Sequence, residues 1–151
     1  MTLLLSPHFS LDELTLSETA ARLHLDNTPS DRVLVNLRRT ANVLEKIRAR
    51  LGNKPISVSS GYRSKQVNTA VKGSNNSFHM LGLACDFTCP SAGSPLQICK
   101  MIAASDIPFD QLIHEYGRWI HVGIAVEGVS PRRQLLTIDS KGVRIGLHEI
   151  R

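Results

Sequence analysis

Cysteine, aromatic side chains and long apolar runs are all scarce in this sequence. The chain has 151 residues, of which 3 are cysteine and 5% are aromatic. An odd cysteine count cannot give a fully paired disulfide framework within one chain. The few aromatics, with no recognisable helix-turn-helix or Gly-rich phosphate loop, leave positive charge as the only feature of a nucleic-acid binder. No apolar stretch is long enough to predict a membrane span. These absences disfavour nucleic-acid partners and membrane insertion.

The composition is ordinary for a folded domain. Hydrophobic residues make up 42% and charged residues 21%, and no repeat or low-complexity tract is visible. We expect a single domain over residues 1–151, with motifs between about 9 and 124 and a C-terminal hairpin at about 133–148. The net charge of +5 favours anionic partners such as phosphate-bearing wall polymers, but only weakly. Much of it lies on one helix whose exposed face would be charged anyway, at Arg38, Arg39, Lys46, Arg48 and Arg50.

The segment from Met1 to His8 has no basic region followed by an apolar core. It therefore predicts neither a signal peptide nor a membrane anchor, and we expect synthesis in the cytoplasm. Cys85 and Cys89 fall on the apolar face of a predicted strand, and Cys99 falls in an apolar helix. All three are expected to be buried free thiols.

Capping motifs and apolar periodicity predict the helices. Ser10 and Glu13 form a capping box that begins a short helix. Ser30 caps the main helix, in which apolar residues recur every three or four positions until Gly52. The other predicted elements are a helical turn 17–23, a strand 54–59, a helix 64–71, a strand 83–89, a helix 95–104, a hairpin around Gly117, and a hairpin of strands 134–138 and 143–147.

His79, Asp86 and His121 carry the strongest functional signal. Two imidazoles and a carboxylate are suitable ligands for a catalytic zinc, which usually keeps its fourth position for water. On one helix, His79 and Asp86 would lie roughly 10 Å apart along the axis, too far for zinc bonds of about 2 Å. The segment between them must therefore fold back, and Gly82 supplies the backbone freedom while Ala84 leaves room beside the metal.

The residues around Asp86 and His121 alternate as strands with one buried face do. Asp86 shares the polar face of its strand with Ala84 and Thr88, and the intervening residues are apolar. His121 shares a face with Trp119, and its immediate neighbours are again apolar. Both side chains can thus leave the core and meet over a sheet. We expect an α+β domain with a small, mostly antiparallel sheet, helices packed on one face and a zinc site on the other.

Three sequence blocks occur in a characteristic order. They are residues 59–64 (S-S-G-Y-R-S), residues 77–86 (S-x-H-x-x-G-x-A-x-D) and residues 119–122 (W-I-H-V). Their sequence and order resemble the D-alanyl-D-alanine carboxypeptidase family of zinc peptidases, which includes phage and bacterial L-alanyl-D-glutamate endopeptidases and is related in fold to Hedgehog signalling domains. The resemblance implies an α+β domain that binds zinc and cleaves peptide bonds in peptidoglycan stems.

The resemblance also implies roles for single residues. His79, Asp86 and His121 correspond to the zinc ligands, and Arg63 corresponds to the cleft arginine of the family. A guanidinium there could grip a substrate carboxylate or stabilise the oxyanion that forms at the scissile carbonyl. The best-known members place a general-base glutamate three residues before the last histidine ligand. This sequence has Arg118 at that position.

Glu115 and His114 are the candidates for the general base, and the length of a hairpin turn decides between them. A three-residue turn places Glu115 opposite Trp119 and on the face of His121. A two-residue turn sets His114 opposite His121 instead. We favour Glu115, because a carboxylate can take a proton from the attacking water and pass it to the leaving amine.

The resemblance, together with the candidate zinc ligands, therefore implies a zinc-dependent peptidase that hydrolyses amide bonds in peptidoglycan stem peptides. It would be a D-Ala-D-Ala carboxypeptidase or a murein endopeptidase, for instance a phage endolysin. Such an enzyme would act on the cell wall after release from the cytoplasm, during phage lysis or from a virion. The alternative is a catalytically inactive zinc-binding module that binds the wall or a protein partner, which Arg118 motivates.

Overall fold

Eight β-strands and five α-helices follow one another along residues 2–151, the part of the chain that the computed structural model describes. The strands are β1 (Leu4–Ser6), β2 (Phe9–Ser10), β3 (Ser57–Ser60), β4 (Ala84–Thr88), β5 (Gln111–Glu115), β6 (Trp119–Gly123), β7 (Gln134–Asp139) and β8 (Gly142–Ile145). The helices are α1 (Leu11–Thr15), α2 (Glu18–Leu23), α3 (Asp31–Arg50), α4 (Lys65–Ala70) and α5 (Pro95–Ala103). A 3₁₀ turn at Phe78–Leu81 precedes β4.

Six of the strands form one sheet in the order β3-β4-β6-β5-β7-β8. All neighbours in it are antiparallel except β5 and β7, which run parallel. The short strands β1 and β2 form a separate antiparallel pair. This mostly antiparallel sheet with helices confirms the predicted α+β fold class.

The hydrophobic core combines α3 and α5 with the inner face of the sheet. Side chains that alternate with the polar positions of β4 and β6 are buried there, as the sequence pattern predicts. Burial of each large apolar side chain stabilises the fold by roughly 1.5–3 kcal/mol. Fully buried members of this core are Leu37, Leu44 and Ile47 of α3, Phe87 of β4, Ile120 of β6, and Ile98 and Ile102 of α5. The opposite face of β4 and β6 is left to polar groups.

The three cysteines are free and buried, as predicted. Burial raises the pKa of Cys85 well above its ordinary value and raises the pKa of Cys99 to about 12. Both therefore remain protonated thiols at neutral pH. Within residues 2–151, no helix has both the length and the apolar character that crossing a membrane would require.

The structure differs from the predicted elements near the N-terminus and in β3. The β1–β2 pair has no predicted counterpart, because strands of three and two residues are too short to show a periodicity. β3 begins at Ser57, later than the predicted start at Lys54. Pro55 has no backbone N–H to donate to the neighbouring strand, which explains the later start.

Candidate metal centre

Three segments bring His79, Asp86 and His121 together over the polar face of the sheet. Asp86 of β4 pairs directly with His121 of β6, so their side chains share a face. His79 lies in the 3₁₀ turn, which ends at Gly82 in the left-handed conformation with φ 74°. The chain reverses between His79 and Asp86 as the spacing predicts. We call these three residues the metal-binding group.

The metal-binding group presents a donor set that fits zinc. One ligand atom from each residue lies within 4.8 Å of the other two. Nε2 of His79 is 3.4 Å from Oδ1 of Asp86, and Nδ1 of His121 is 2.8 Å from the same oxygen. Tetrahedral bonds of about 2 Å separate ligand atoms by roughly 3.3 Å. The first distance fits this value, and the second needs only a small opening of the hydrogen bond.

Hydrogen bonds orient these ligands and set their protonation. Nδ1 of His79 donates to the carbonyl oxygen of Gly61 at 2.7 Å, which leaves Nε2 for a metal. Burial lowers the pKa of His79 and favours the neutral ring. Burial alone would raise the pKa of Asp86, but hydrogen bonds from His121 and His79 lower it well below its usual range. A neutral imidazole and an ionised carboxylate are the states that metal binding requires.

Glu115 lies on the same face as the metal-binding group. In the β5–β6 ladder it pairs with Trp119, and Ile113 pairs with His121, so the observed turn has three residues. Burial raises the pKa of Glu115, and the negative charge of Asp86 raises it further. The indole N–H of Trp119 is buried and has no hydrogen-bond partner within residues 2–151. A carboxylate with a raised pKa beside a metal site has the properties of a general base.

A family model described as Peptidase M15 matches residues 7–123, which is more than half of the chain. The chain belongs to the Peptidase M15 family. These peptidases are zinc-dependent and resemble D-Ala-D-Ala carboxypeptidases, which confirms the family resemblance and the zinc cofactor predicted from the sequence. Family membership supports a zinc metallopeptidase with peptidoglycan-type substrates. Comparison with curated proteins gave no match.

His114 lies away from the metal-binding group of this M15 peptidase. It pairs with Ile120, so its side chain points to the opposite face of the sheet from His121. Its ring is 3% exposed, and Nδ1 is 3.0 Å from the carbonyl oxygen of His148. The alternative with His114 as the base required a two-residue turn, and the observed turn has three residues. Arg118 is exposed in the turn and lines other surface depressions.

The metal-binding group opens into a cleft of about 640 Å³, and Arg63 and Glu115 line it too. The backbone N–H of Arg63 donates to the carbonyl oxygen of His79 at 3.1 Å, which ties this arginine to the 3₁₀ turn. Its Nε is buried and has no hydrogen-bond partner within residues 2–151. Burial lowers the pKa of Arg63, and the charges of Asp86 and Glu115 oppose that shift. A half-buried guanidinium with an unused donor is suited to bind a substrate carbonyl or carboxylate.

Three charged residues of this cleft were missed by the sequence reasoning. Lys72 and Arg132 add positive charge, and Asp110 binds Arg132 through both carboxylate oxygens. Lys72 belongs to the loop after α4, and Arg132 lies beyond the residues that the family model matches. No motif or spacing marks these positions. Asp110 and Arg132 meet because β7, which follows Arg132, pairs with β5, which follows Asp110.

Proposed function

We propose that this M15 peptidase hydrolyses amide bonds in the stem peptides of bacterial peptidoglycan. The observation that carries the proposal is the position of Glu115, which shares a sheet face and a cleft with the metal-binding group. A candidate general base beside a metal site favours an enzyme over a metal-binding module. Cationic side chains in the cleft suit a substrate that carries carboxylates, as stem peptides do. These cations are Arg63, Lys72 and Arg132.

The side chains of the cleft have complementary tasks in such a reaction. When held by the metal-binding group, zinc supplies Lewis-acid chemistry that polarises the scissile carbonyl and activates water. The carboxylate of Glu115 accepts a proton from the attacking water and then donates it to the nitrogen of the leaving amine. Its raised pKa suits both transfers near neutral pH. The guanidinium of Arg63 donates hydrogen bonds to the carbonyl oxygen as negative charge develops there.

Digestion of purified cell walls, followed by mass spectrometry of the products, tests this proposal. We expect the zinc-loaded protein to release products, a chelator to stop the release, and added zinc to restore it. Loss of a general base lowers rates by about 10²- to 10⁴-fold. The rate of product release by Glu115→Gln should therefore fall by this factor, while the variant keeps its zinc. His114→Gln is the matched control, from the adjacent position of β5 but the opposite face, and should keep the rate per folded molecule.

The products also identify which amide bond of the stem peptide is cleaved. A carboxypeptidase releases free D-alanine from a defined muropeptide, whereas an endopeptidase releases larger fragments. A fully zinc-loaded protein that leaves both substrates intact would instead favour the inactive zinc-binding module. An equal loss of activity in Glu115→Gln and His114→Gln would contradict the role of Glu115.

A further inference from the structure

An ion pair outside the metal-binding group projects into the same cleft. The side chain of Asp110 is 6% exposed and holds the guanidinium of Arg132 with both oxygens. Nε of Arg132 lies 3.2 Å from Oδ1 and 3.1 Å from Oδ2, and Nη2 lies 2.8 Å from Oδ2. The backbone N–H of Arg132 also donates to Oδ1 at 3.0 Å. One buried carboxylate thus fixes both the side chain and the backbone of this arginine.

The next residue, Arg133, anchors the segment from a second direction. Its guanidinium donates to three backbone carbonyl oxygens within residues 103–107. It also lies over the ring of Phe109, 4.3 Å from the centroid, and its backbone N–H donates to the carbonyl oxygen of Phe109 at 3.2 Å. Arg132 therefore projects from a firmly held stretch of chain, and its position in the cleft is well defined.

Arg132 keeps hydrogen-bond donors for a ligand. Its side chain is 59% exposed, and Nη1 makes no hydrogen bond to any atom within residues 2–151. Exposed ion pairs contribute only about 0.2–1 kcal/mol to folding. The three side-chain contacts from Asp110 therefore serve to orient the guanidinium of Arg132 more than to stabilise the fold. A carboxylate is the ligand that an oriented guanidinium fork binds with the greatest geometric specificity.

The sheet register gives the distance between this arginine and the metal-binding group. Ile113 pairs with His121, and Asp110 lies three positions before Ile113 in the chain. At about 3.3 Å per residue, the anchor of Arg132 is roughly 10 Å from His121 along the strand direction. Glu115 lies on the other side of His121 in that direction. An extended peptide covers this distance with about three residues.

We propose that Arg132 is a specificity-determining residue that binds a carboxylate of the substrate about two or three residues from the scissile amide. Asp110 is its positioning residue. The inference rests on the proposed function, because it names the chemical group that the same cleft selects in its peptide. It also assigns part of substrate recognition to residues beyond 123, outside the region that the family model matches.

A synthetic stem peptide and derivatives with each carboxylate amidated in turn provide the test. For the wild type, amidation of one particular carboxylate should lower kcat/KM by about 10- to 100-fold, the size expected for hydrogen bonds to a charged group. The variant D110N/R132Q removes both charges and leaves no buried carboxylate without a partner. On the parent peptide, kcat/KM of this variant should be lower than that of the wild type by the same factor. Amidation of that carboxylate should not lower kcat/KM of the variant any further.

Arg38→Gln is the control for the loss of an exposed arginine, because Arg38 lies on α3 outside the cleft. It should discriminate between the peptides as the wild type does. Equal losses of D110N/R132Q on every peptide, or discrimination that survives in this variant, would overturn the inference.

Binding of the same peptides to zinc-loaded Glu115→Gln protein, with and without D110N/R132Q, gives a readout that needs no turnover. We expect weaker binding of the one amidated peptide, and loss of that difference in the combined variant. If the wild type cleaves no peptide, the proposed function fails and this binding decides the role of Arg132. If no peptide binds, or if free and amidated peptides bind equally well, the proposed role of Arg132 is rejected.

Discussion

Three carboxylates in one cleft have different proton affinities because their neighbours differ. Hydrogen bonds from two imidazoles lower the pKa of Asp86 although burial opposes them. Glu115 has no such partners, and burial together with the charge of Asp86 raises its pKa. Asp110 is almost inaccessible but lies beneath an exposed arginine, and hydrogen bonds from Arg132 lower its pKa. One carboxylate can therefore stay ionised as a ligand while another exchanges protons.

Asp110 should make the folding stability depend on pH. Its pKa is lower in the folded protein, so the unfolded chain takes up this proton first as the pH falls. The stabilisation is complete above about pH 5, starts to decline near the ordinary aspartate pKa of about 4, and is lost only as the pH falls through the lower pKa of the folded state. We expect zinc-free wild type to be more stable than Asp110→Asn by about 1 kcal/mol near pH 7, since Arg132 is solvent-screened. Urea unfolding from pH 7 to 3 should show the difference in unfolding free energy between the two proteins becoming smaller. A difference that does not change with pH would contradict the lowered pKa of Asp110.

Some of these residues could be predicted from sequence and others could not. The metal-binding group could, because strand alternation and the glycine between His79 and Asp86 are local signals. The choice of Glu115 over His114 depended on a turn in which Tyr116 adopts φ 55°. Non-glycine residues seldom adopt this conformation, so the sequence left the turn length open. Arg132 could not be predicted as a site residue, because its contact with Asp110 follows from a long-range strand pairing.

At the scale of elements, the 3₁₀ turn that carries His79 depends on Gly82. A Cβ atom there would lie 2.9 Å from the carbonyl oxygen of Val33 and 3.1 Å from Cγ of Leu37, and φ is +74°. Gly82→Ala should therefore lower the free energy of unfolding by more than the roughly 1–2 kcal/mol that a left-handed alanine costs. Zinc affinity should fall as well, because the turn must shift. Denaturant unfolding and a competitive zinc titration measure the two effects.

Gly128→Ala is the matched control for this prediction. Gly128 has φ +83°, and a Cβ atom there would meet no other atom within 4 Å. It should show the backbone cost alone and leave zinc affinity unchanged. Equal effects of the two substitutions would show that the packing of the 3₁₀ turn against α3 does not position His79.

The helices were predictable because their ends carry local signals. The capping box at Ser10 and the cap at Ser30 are visible in the sequence and are formed in the structure. The order of the strands was not predictable in this way. A parallel pair such as β5 and β7 needs a connection across the molecule, and no local pattern specifies which neighbour a strand will find.

At the scale of the whole molecule, zinc should raise the stability of the fold. Its ligands come from the 3₁₀ turn, β4 and β6, and the unfolded chain does not hold them together. Free zinc at a thousand times its Kd stabilises by about 4 kcal/mol. For a chain of this size that raises Tm by roughly 8–16 °C. Thermal unfolding with zinc and with chelator measures the difference.

Asp86→Ala should abolish this rise in Tm, and Glu115→Gln should retain it. The second variant separates a metal ligand from a base, since both carboxylates lie in one cleft. A rise that survives in Asp86→Ala would mean that zinc binds the folded protein elsewhere.

β7 has a consequence for the strand that bears Glu115. β5 now lies in the interior of the sheet, with β6 on one side and β7 on the other. Without β7, β5 would become the margin of the sheet, and half of its backbone groups would face water or another molecule's strand. A chain shortened to residues 7–123, the region that the family model matches, would therefore expose the backbone of this strand along one side, where a strand of a second molecule could pair with it.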